Sequence, residues 1–410
     1  MAAPLQSAKK SSPAIAPGKV VSFDSIEKNS IARIHTDISE VDRVLGGGFI
    51  TGSLVLLGGE PGIGKSTLVL QICQAIAGDI LYVSGEESAE QIKHRLDRLH
   101  IDAKKIGFLG ETNVETIIET VAQRKPSFVI IDSIQTTHSL ESPTSAGSIN
   151  QVRICTTKLL EASKRLGTTM LVIGHVTKFG EVAGPKTLEH LVDVVLYLEG
   201  DQHHGFRILR GAKNRFGSTS EVGVFEMATE GLKEIKDPSS VFLTDAAPSA
   251  GTVVTAALEG SRIFFLEVQA LVSQTNFGYP QRKSHGFDLN RLQLLVATLT
   301  RRLGLKLGNQ DIYLNVVGGL KISEPAVDLA VCLAIMSAYK NKAVPRLVAF
   351  GEVGLTGEVR PVSQQDRRIA EAIQRGFARL IVPQTSSKSK LPTGCIAVKS
   401  IKEALSSLGD

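Results

Sequence analysis

The chain has 410 residues, 42% hydrophobic and 21% charged, with a formal net charge of +5. This is ordinary globular composition at a length suited to two or three domains, and the mild basicity permits an anionic partner without requiring one. The longest apolar runs (SLVLLGG, FVIID, VDVVLYL) are far too short to span a bilayer, and the first 20 residues lack a signal-peptide core, so a cytoplasmic protein with no membrane partner is expected. Four cysteines (Cys73, Cys155, Cys332, Cys395) stand far apart with no C-x-x-C spacing, which argues against a zinc cluster or a disulfide framework and for buried thiols.

In chain order, residues 1–30 are rich in Ala, Ser, Pro and Lys and read as a flexible, mildly basic tail. From 31 to 235 strand and helix patterns alternate, which predicts an α/β domain with a mostly parallel sheet between helices. SLVLLGG is a strand ending in glycines. TLVLQICQAIAG follows it, with Leu68, Ile72, Ala75 and Ile76 at helical spacing. ILYVSG predicts the next strand and SAEQIKHRLDRLH a helix opened by a Ser88–Gln91 capping box. SFVIID, TTMLVIGH, VDVVLYLEG and FRILRG predict further strands. DQHHG between the last two reads as a hairpin loop with solvated His203 and His204. The polar, Pro-containing stretch 236–250 reads as a linker, and 251–410 as a second α/β unit. Its expected strands are GTVVTAALEG, RIFFLEVQALV, IYLNVVGGL and LVAFGEVGL, and its expected helices LNRLQLLVATLTRRLG, EPAVDLAVCLAIMSAY and RRIAEAIQRG.

The strongest chemical signal is GEPGIGKST, in which Gly59, Glu60, Pro61, Gly62, Ile63, Gly64, Lys65, Ser66 and Thr67 match G-x-x-x-x-G-K-[ST]. Such glycines let backbone N–H groups converge on phosphate oxygens, and the helix N-terminus adds its dipole. Lys65 would reach the β- and γ-phosphates of ATP, and the Ser66 hydroxyl would ligate Mg²⁺. Asp132, at the end of the apolar strand FVIID, is expected to hold the same ion through water. Glu86 in YVSGEES is the candidate base for the attacking water, with Glu87 its neighbouring competitor. His175 ends TTMLVIGH, where it either touches the γ-phosphate or bonds to nearby backbone. Lys213 and Arg215, in KNRFG, close a strand with no acidic residue beside them in sequence. Alternate strand residues share a face, so both cations could clamp a γ-phosphate across a subunit boundary. A solvated basic strand end is the alternative.

Taken in order, HTDISEVDRVLGGGFITGSLVLLGGEPGIGKSTLVLQ, YVSGEES, VIIDSIQT, GHVTK and KNRFG closely resemble the motifs of the bacterial RadA (Sms) family of DNA-repair ATPases. GEVGLTGEVRPV is similar to a stretch of the proteolytic domain of Lon, so residues 251–410 resemble a Lon-protease-like domain. The resemblance runs from about 31 to 405. It implies a RecA-like core, a hexameric ring, ATP and Mg²⁺, single-stranded and branched DNA as substrates, a RecA-type recombinase as partner, and branch migration during recombination. By the same resemblance Glu86 is the catalytic glutamate, Lys213 and Arg215 act in trans, and the loops near 135–150 and 178–190 contact DNA. Two departures stand out. No paired C-x-x-C precedes residue 31, where the family carries a four-cysteine zinc finger, so this is either a natural short form or a truncation. Phe179 replaces the family's usual small polar or acidic residue.

Two other functions compete. A Lon-type protease needs a serine nucleophile and a lysine base, and the resemblance places Ala326 and Asp366 at those positions, so proteolysis is not expected. A RecA-fold signalling ATPase would share the phosphate loop and the ring but not DNA. Arg282, Lys283, Arg291, Arg301, Arg302 and Lys306 either track a DNA backbone or solvate helix faces.

Overall fold

A computed structural model describes residues 32–175, 187–200, 205–237, 239–243, 247–276, 278–318, 321–385 and 391–408. The expected tail over 1–30, His203, His204 and Phe179 lie outside them. A short pair, β1 (Arg33–Ile34) with β2 (Phe49–Ile50), flanks α1 (Ser39–Leu45). The elements β3 (Leu54–Gly59), α2 (Lys65–Ala75), β4 (Ile80–Ser84), α3 (Ala89–Arg98), β5 (Ile106–Leu109), α4 (Val114–Arg124), β6 (Phe128–Asp132), α5 (Ile149–Leu166) and β7 (Thr169–His175) then alternate. They are followed by β8 (Val194–Glu199), β9 (Phe206–Asn214), β10 (Val222–Ala228) and β11 (Gly231–Glu234). The nine-stranded sheet runs β11-β10-β9-β8-β3-β7-β6-β4-β5. It is parallel from β8 to β5 and antiparallel from β8 to β11.

Strand alternation explains the unbroken apolar run of β3. Val55 and Leu57 pack with Leu68, Ile72, Ile92 and Leu96 of α2 and α3, while Leu54 and Leu56 pack with Val121, Val152 and Leu159 of α4 and α5. A parallel strand covered on both faces has no reason to carry polar residues. The Ser88–Gln91 capping box forms as the sequence predicts.

Beyond residue 235 come α6 (Ser239–Phe242), β12 (Thr252–Glu259), β13 (Arg262–Gln274), β14 (Arg282–His285), α7 (Leu289–Leu303), β15 (Gln310–Val316) and α8 (Asp328–Lys340). They are followed by β16 (Val348–Ala349), β17 (Glu352–Val353), β18 (Val359–Arg360), α9 (Gln365–Gln374), β19 (Leu380–Pro383), β20 (Cys395–Val398) and α10 (Ile401–Ser406). Seven strands form a second sheet in the order β14-β15-β13-β12-β16-β19-β20, and β17 pairs with β18. Helix α8 is buried throughout Asp328–Ser337, as a helix apolar on all sides must be.

The two sheets meet on β9 and β10, within one compact unit that starts at Arg33. Leu209 of β9 joins the core of the first sheet, whereas its neighbours Phe206 and Ile208 pack against the core of the second, with Val222 and Val224 of β10. The stretch 236–250, read from sequence as a polar linker, contains α6, and its Phe242 is fully buried edge-on to Phe206 at 5.4 Å. Among the described residues, two ion pairs cross the junction. Arg210 of β9 reaches Glu259 at 3.0 Å, and Arg262 of β13 reaches Glu40 at 2.7 Å. Glu40 is fully buried and also accepts the Val224 N–H at 2.9 Å. Removing Arg262 leaves the buried carboxylate with only the half-exposed Arg43 at 3.6 Å and the Val224 N–H, so Arg262→Ala should lower stability by about 3 kcal/mol, the lower end for a broken buried pair, with Glu40→Gln/Arg262→Ala recovering part of it. Urea unfolding midpoints of the three proteins check this.

Candidate nucleotide site

The carboxyl ends of β3, β7, β6 and β4 lie side by side, with Gly59 opposite His175 and Ser84 opposite Asp132. Ligands of open α/β sheets bind at such an edge. From β3 the chain enters the 60–64 loop. Glu60, Pro61 and Gly62 are exposed, Ile63 is buried as the loop's anchor, and Gly64 precedes α2 with φ 111°. Gly59 admits no side chain, because a Cβ there would lie 2.6 Å from the Leu198 carbonyl oxygen.

Lys65, the first residue of α2, is folded back into this loop. Its Nζ donates to the carbonyls of Gly59 (2.9 Å) and Glu60 (3.0 Å). Burial holds its pKa down to about 8, against the opposite pull of Asp132 and Glu86. Next along the helix, the Ser66 hydroxyl donates to Asp132 Oδ2 at 3.0 Å, and Thr67 follows. The same Asp132 oxygen accepts Tyr82 Oη–H at 2.7 Å from inside β4. One hydroxyl and one carboxylate, both hard oxygen donors within hydrogen-bond reach, suit Mg²⁺, which takes one or two carboxylates and completes its shell with water and phosphate.

Glu86 and Glu87 turn to different partners in space. Ser84 Oγ accepts from the N–H groups of both residues (3.3 and 3.1 Å), turning the chain sharply after β4. Glu87 is then committed to an ion pair with Arg95 of α3, and burial nevertheless raises its pKa. Glu86 faces the strand ends. Its Oε1 accepts Ser133 Oγ–H at 2.6 Å and lies 4.0 Å from His175 Nε2. The His175 ring makes no hydrogen bond to backbone among the described residues, and its Nδ1 is buried without a partner among them. Burial and then the charge of Lys65 lower its pKa, leaving a neutral imidazole at neutral pH.

Lys213 and Arg215 lie at the other edge of the sheet. Asn214 pairs with Val194, which is itself beside Val55 near the amino end of β3. A rise of about 3.3 Å per residue sets the two ends of β3 about 17 Å apart, beyond the reach of either side chain toward the loop of its own chain. Only Lys213 belongs to the strand. Its Nζ donates to the carbonyls of Glu189 (2.7 Å) and Val192 (2.8 Å), and burial and then Arg215 lower its pKa. Arg215 lies past the strand end and pairs with Asp193 at 3.2 Å. The acidic partner absent from the neighbouring sequence is therefore supplied by the residue before β8. Asp193 is 2% exposed, and it also meets Lys164 at 3.4 Å and accepts the Leu54 N–H at 3.2 Å.

Sequence reasoning missed Tyr82, Ser133, Asp193 and Lys164. Tyr82 was open to discovery, being a phenol among the apolar residues Ile80, Leu81 and Val83 of its strand. Asp193 and Lys164 left no local signal, since their meeting depends on α5 and β8 coming together. Of the cations expected either to track DNA or to solvate helix faces, Arg282 donates to Leu307 O at 2.8 Å and Gln281 O at 3.0 Å, and Arg291 pairs with buried Asp328. These two are structural anchors, whereas Lys283, Arg301, Arg302 and Lys306 are exposed, Arg302 donating to the Leu355 carbonyl at 3.2 Å. Ala326 is buried and Asp366 exposed, and Glu324 beside Ala326 is paired with the fully buried Arg368, so no nucleophile stands at 326.

Residues 25–181 match the family model described as an AAA domain, and 292–386 match that described as subunit ChlI of Mg-chelatase. The DNA repair protein RadA of Bacillus subtilis is 49% identical over 394 residues, covering 94% of this chain and 86% of that protein. The chain belongs to the RadA family. The RadA of Listeria monocytogenes agrees at 46% identity over 95% of this chain and 87% of its own length. A KaiC-like protein from Pyrococcus horikoshii superposes on 50% of the chain and 99% of its own, at 22% identity and a TM-score of 0.42. RadA membership, the AAA-domain match and the sheet itself establish an α/β, RecA-like P-loop ATPase core. No described helix is long and apolar enough to cross a membrane.

Proposed function

We propose that this RadA-family chain is a DNA-dependent ATPase working as a ring-shaped, hexameric motor in recombinational DNA repair. It would bind single-stranded and branched DNA, act beside a RecA-type recombinase in the cytoplasm, and drive branch migration. The observation that carries the reading is the split of its machinery between opposite edges of one sheet. Gly59–Thr67, Asp132, Glu86 and His175 occupy the carboxyl edge, and Lys213 and Arg215 the amino edge. Two half-sites on opposite edges fit a head-to-tail assembly, in which each subunit completes its neighbour's site, and such heterologous contacts form a ring where the rotation between subunits closes and a filament where it does not.

In this arrangement Lys65 leaves the Gly59 and Glu60 carbonyls to meet the β- and γ-phosphates. Ser66 and Asp132 would hold Mg²⁺, which supplies charge neutralisation on the phosphates. Glu86, oriented by Ser133, accepts a hydrogen bond from the attacking water and aims its lone pair at the γ-phosphorus. Neutral His175, 4.0 Å from Glu86, donates to or accepts from the γ-phosphate and water as they change, and so relays phosphate loss to the loop that follows β7. Lys213 and Arg215 of a neighbouring subunit neutralise charge that develops in the transition state.

A signalling ATPase with the same core would hydrolyse ATP without responding to DNA. Steady-state hydrolysis with and without single-stranded DNA, repeated at rising salt, separates the two. The expected result is stimulation by DNA that fades as salt competes for the phosphates. An unresponsive ATPase with no salt-sensitive DNA binding sinks the motor.

A further inference from the structure

Along β9, Arg207, Leu209 and Gly211 are buried while Phe206, Ile208 and Arg210 between them are half-buried, so the inward register of the alternation holds an arginine. Arg207 is 5% exposed, beside Leu209 in the face turned to the nucleotide-binding half of the molecule. A guanidinium is strongly disfavoured in such a place unless its donors are used. Arg207 Nε donates to the carbonyl of Ile63 at 3.0 Å, and Nη1 to the carbonyl of Phe206 at 2.8 Å.

Ile63 is the buried anchor of the phosphate loop, and the peptide it shares with Gly64 is the last before α2. A trans peptide is planar, so its C=O and N–H point in opposite directions. Holding the Ile63 oxygen toward β9 turns the Gly64 N–H away from β9. Gly64 has φ 111° and ψ 14° with no side-chain cap, so its own flexibility does not fix that plane. We infer that Arg207 is a positioning residue for nucleotide binding, which locks the Ile63–Gly64 peptide so that the Gly64 N–H meets a phosphate oxygen. The inference rests on the ATPase reading of the loop. It assigns a role to a residue that touches neither phosphate, metal nor water.

The test uses the full chain with a fluorescent ADP analogue, in the wild type, Arg207→Met and Arg207→Lys. A charge-assisted hydrogen bond of ordinary strength sets the scale, so Arg207→Met should weaken ADP binding about tenfold. The KM for ATP should rise in step, while kcat at saturating ATP changes far less. Arg207→Lys keeps an ammonium donor for the Ile63 carbonyl and should recover most of the affinity, which a role in filling space would not predict. Arg207→Met that is folded and binds ADP as the wild type does overturns the inference. So does equal weakening in both variants with matching falls in melting temperature, because shape would then be all that matters. If the wild type itself fails to bind the analogue, the reading of the loop fails, and that outcome is distinct from either.

Discussion

Lys65→Ala should lower ATP turnover by on the order of 10²–10³-fold, since the substitution removes the one cation of the phosphate loop, the group placed to stabilise charge on the phosphates. Phosphate release measured at saturating ATP checks this, and turnover close to wild type would remove Lys65 from the machinery. The environment of the ammonium adds a pH signature. Its pKa is held down to about 8 by burial while it donates to two carbonyls. Phosphates favour the charged form, so nucleotide binding raises that pKa. Above about pH 8 the free protein has lost the proton that the complex needs, so binding takes up a proton and affinity falls as pH rises. Well below that value the lysine is charged in both states and the dependence disappears. Titration calorimetry slightly above pH 8, in two buffers of different ionisation enthalpy, reads the uptake directly. Lys65→Ala should abolish it.

Arg215→Ala should leave nucleotide binding nearly intact and slow hydrolysis by on the order of 10³-fold, the usual scale for an arginine supplied to a phosphoryl-transfer site from outside. The fold should tolerate the change. Asp193 keeps Lys164 and the Leu54 N–H, and Arg215 is half exposed at the end of β9. Lys213→Ala should act in the same direction, with more disturbance of the local backbone, because its Nζ ties down the Glu189 and Val192 carbonyls. The decisive measurement mixes inactive proteins. Co-assembled Glu86→Ala and Arg215→Ala subunits create some interfaces with an intact Glu86 on one side and an intact Arg215 on the other. Activity should return in proportion to those interfaces. If mixing restores nothing while assembly is verified, Arg215 acts within its own chain, and the opposite-edge argument is wrong.

The candidate site was largely legible because its core is local. Seven residues from Gly59 to Lys65 fix a strand-loop-helix geometry by spacing alone, and a strand-end aspartate and glutamate fall on the same sheet edge once the sheet is parallel. The alternating pattern up to residue 235 predicted that sheet. The pattern did not show that both faces of β9 are packed against a core, because Phe206 and Ile208 look the same in sequence whether they meet solvent, a helix or a second sheet. The segment 236–250 misled for a related reason. Its Pro, Ser and Asp are tether-like, and only the three-dimensional packing reveals Phe242 between Phe206 and Phe264.

Composition and motif spacing by themselves determined the fold class, the phosphate loop, Asp132 and the candidate cations, since each depends on interactions within a few residues or on strand period. Tertiary structure decided the matters that depend on long-range approach. It turned Glu87 to Arg95 and Glu86 to Ser133, and gave Arg215 a partner in Asp193. It also placed KNRFG at the edge opposite the phosphate loop and brought Arg207 to the Ile63 carbonyl. A carboxylate's choice between two neighbours, or a cation's distance from a phosphate, follows from strand order and register across more than a hundred residues.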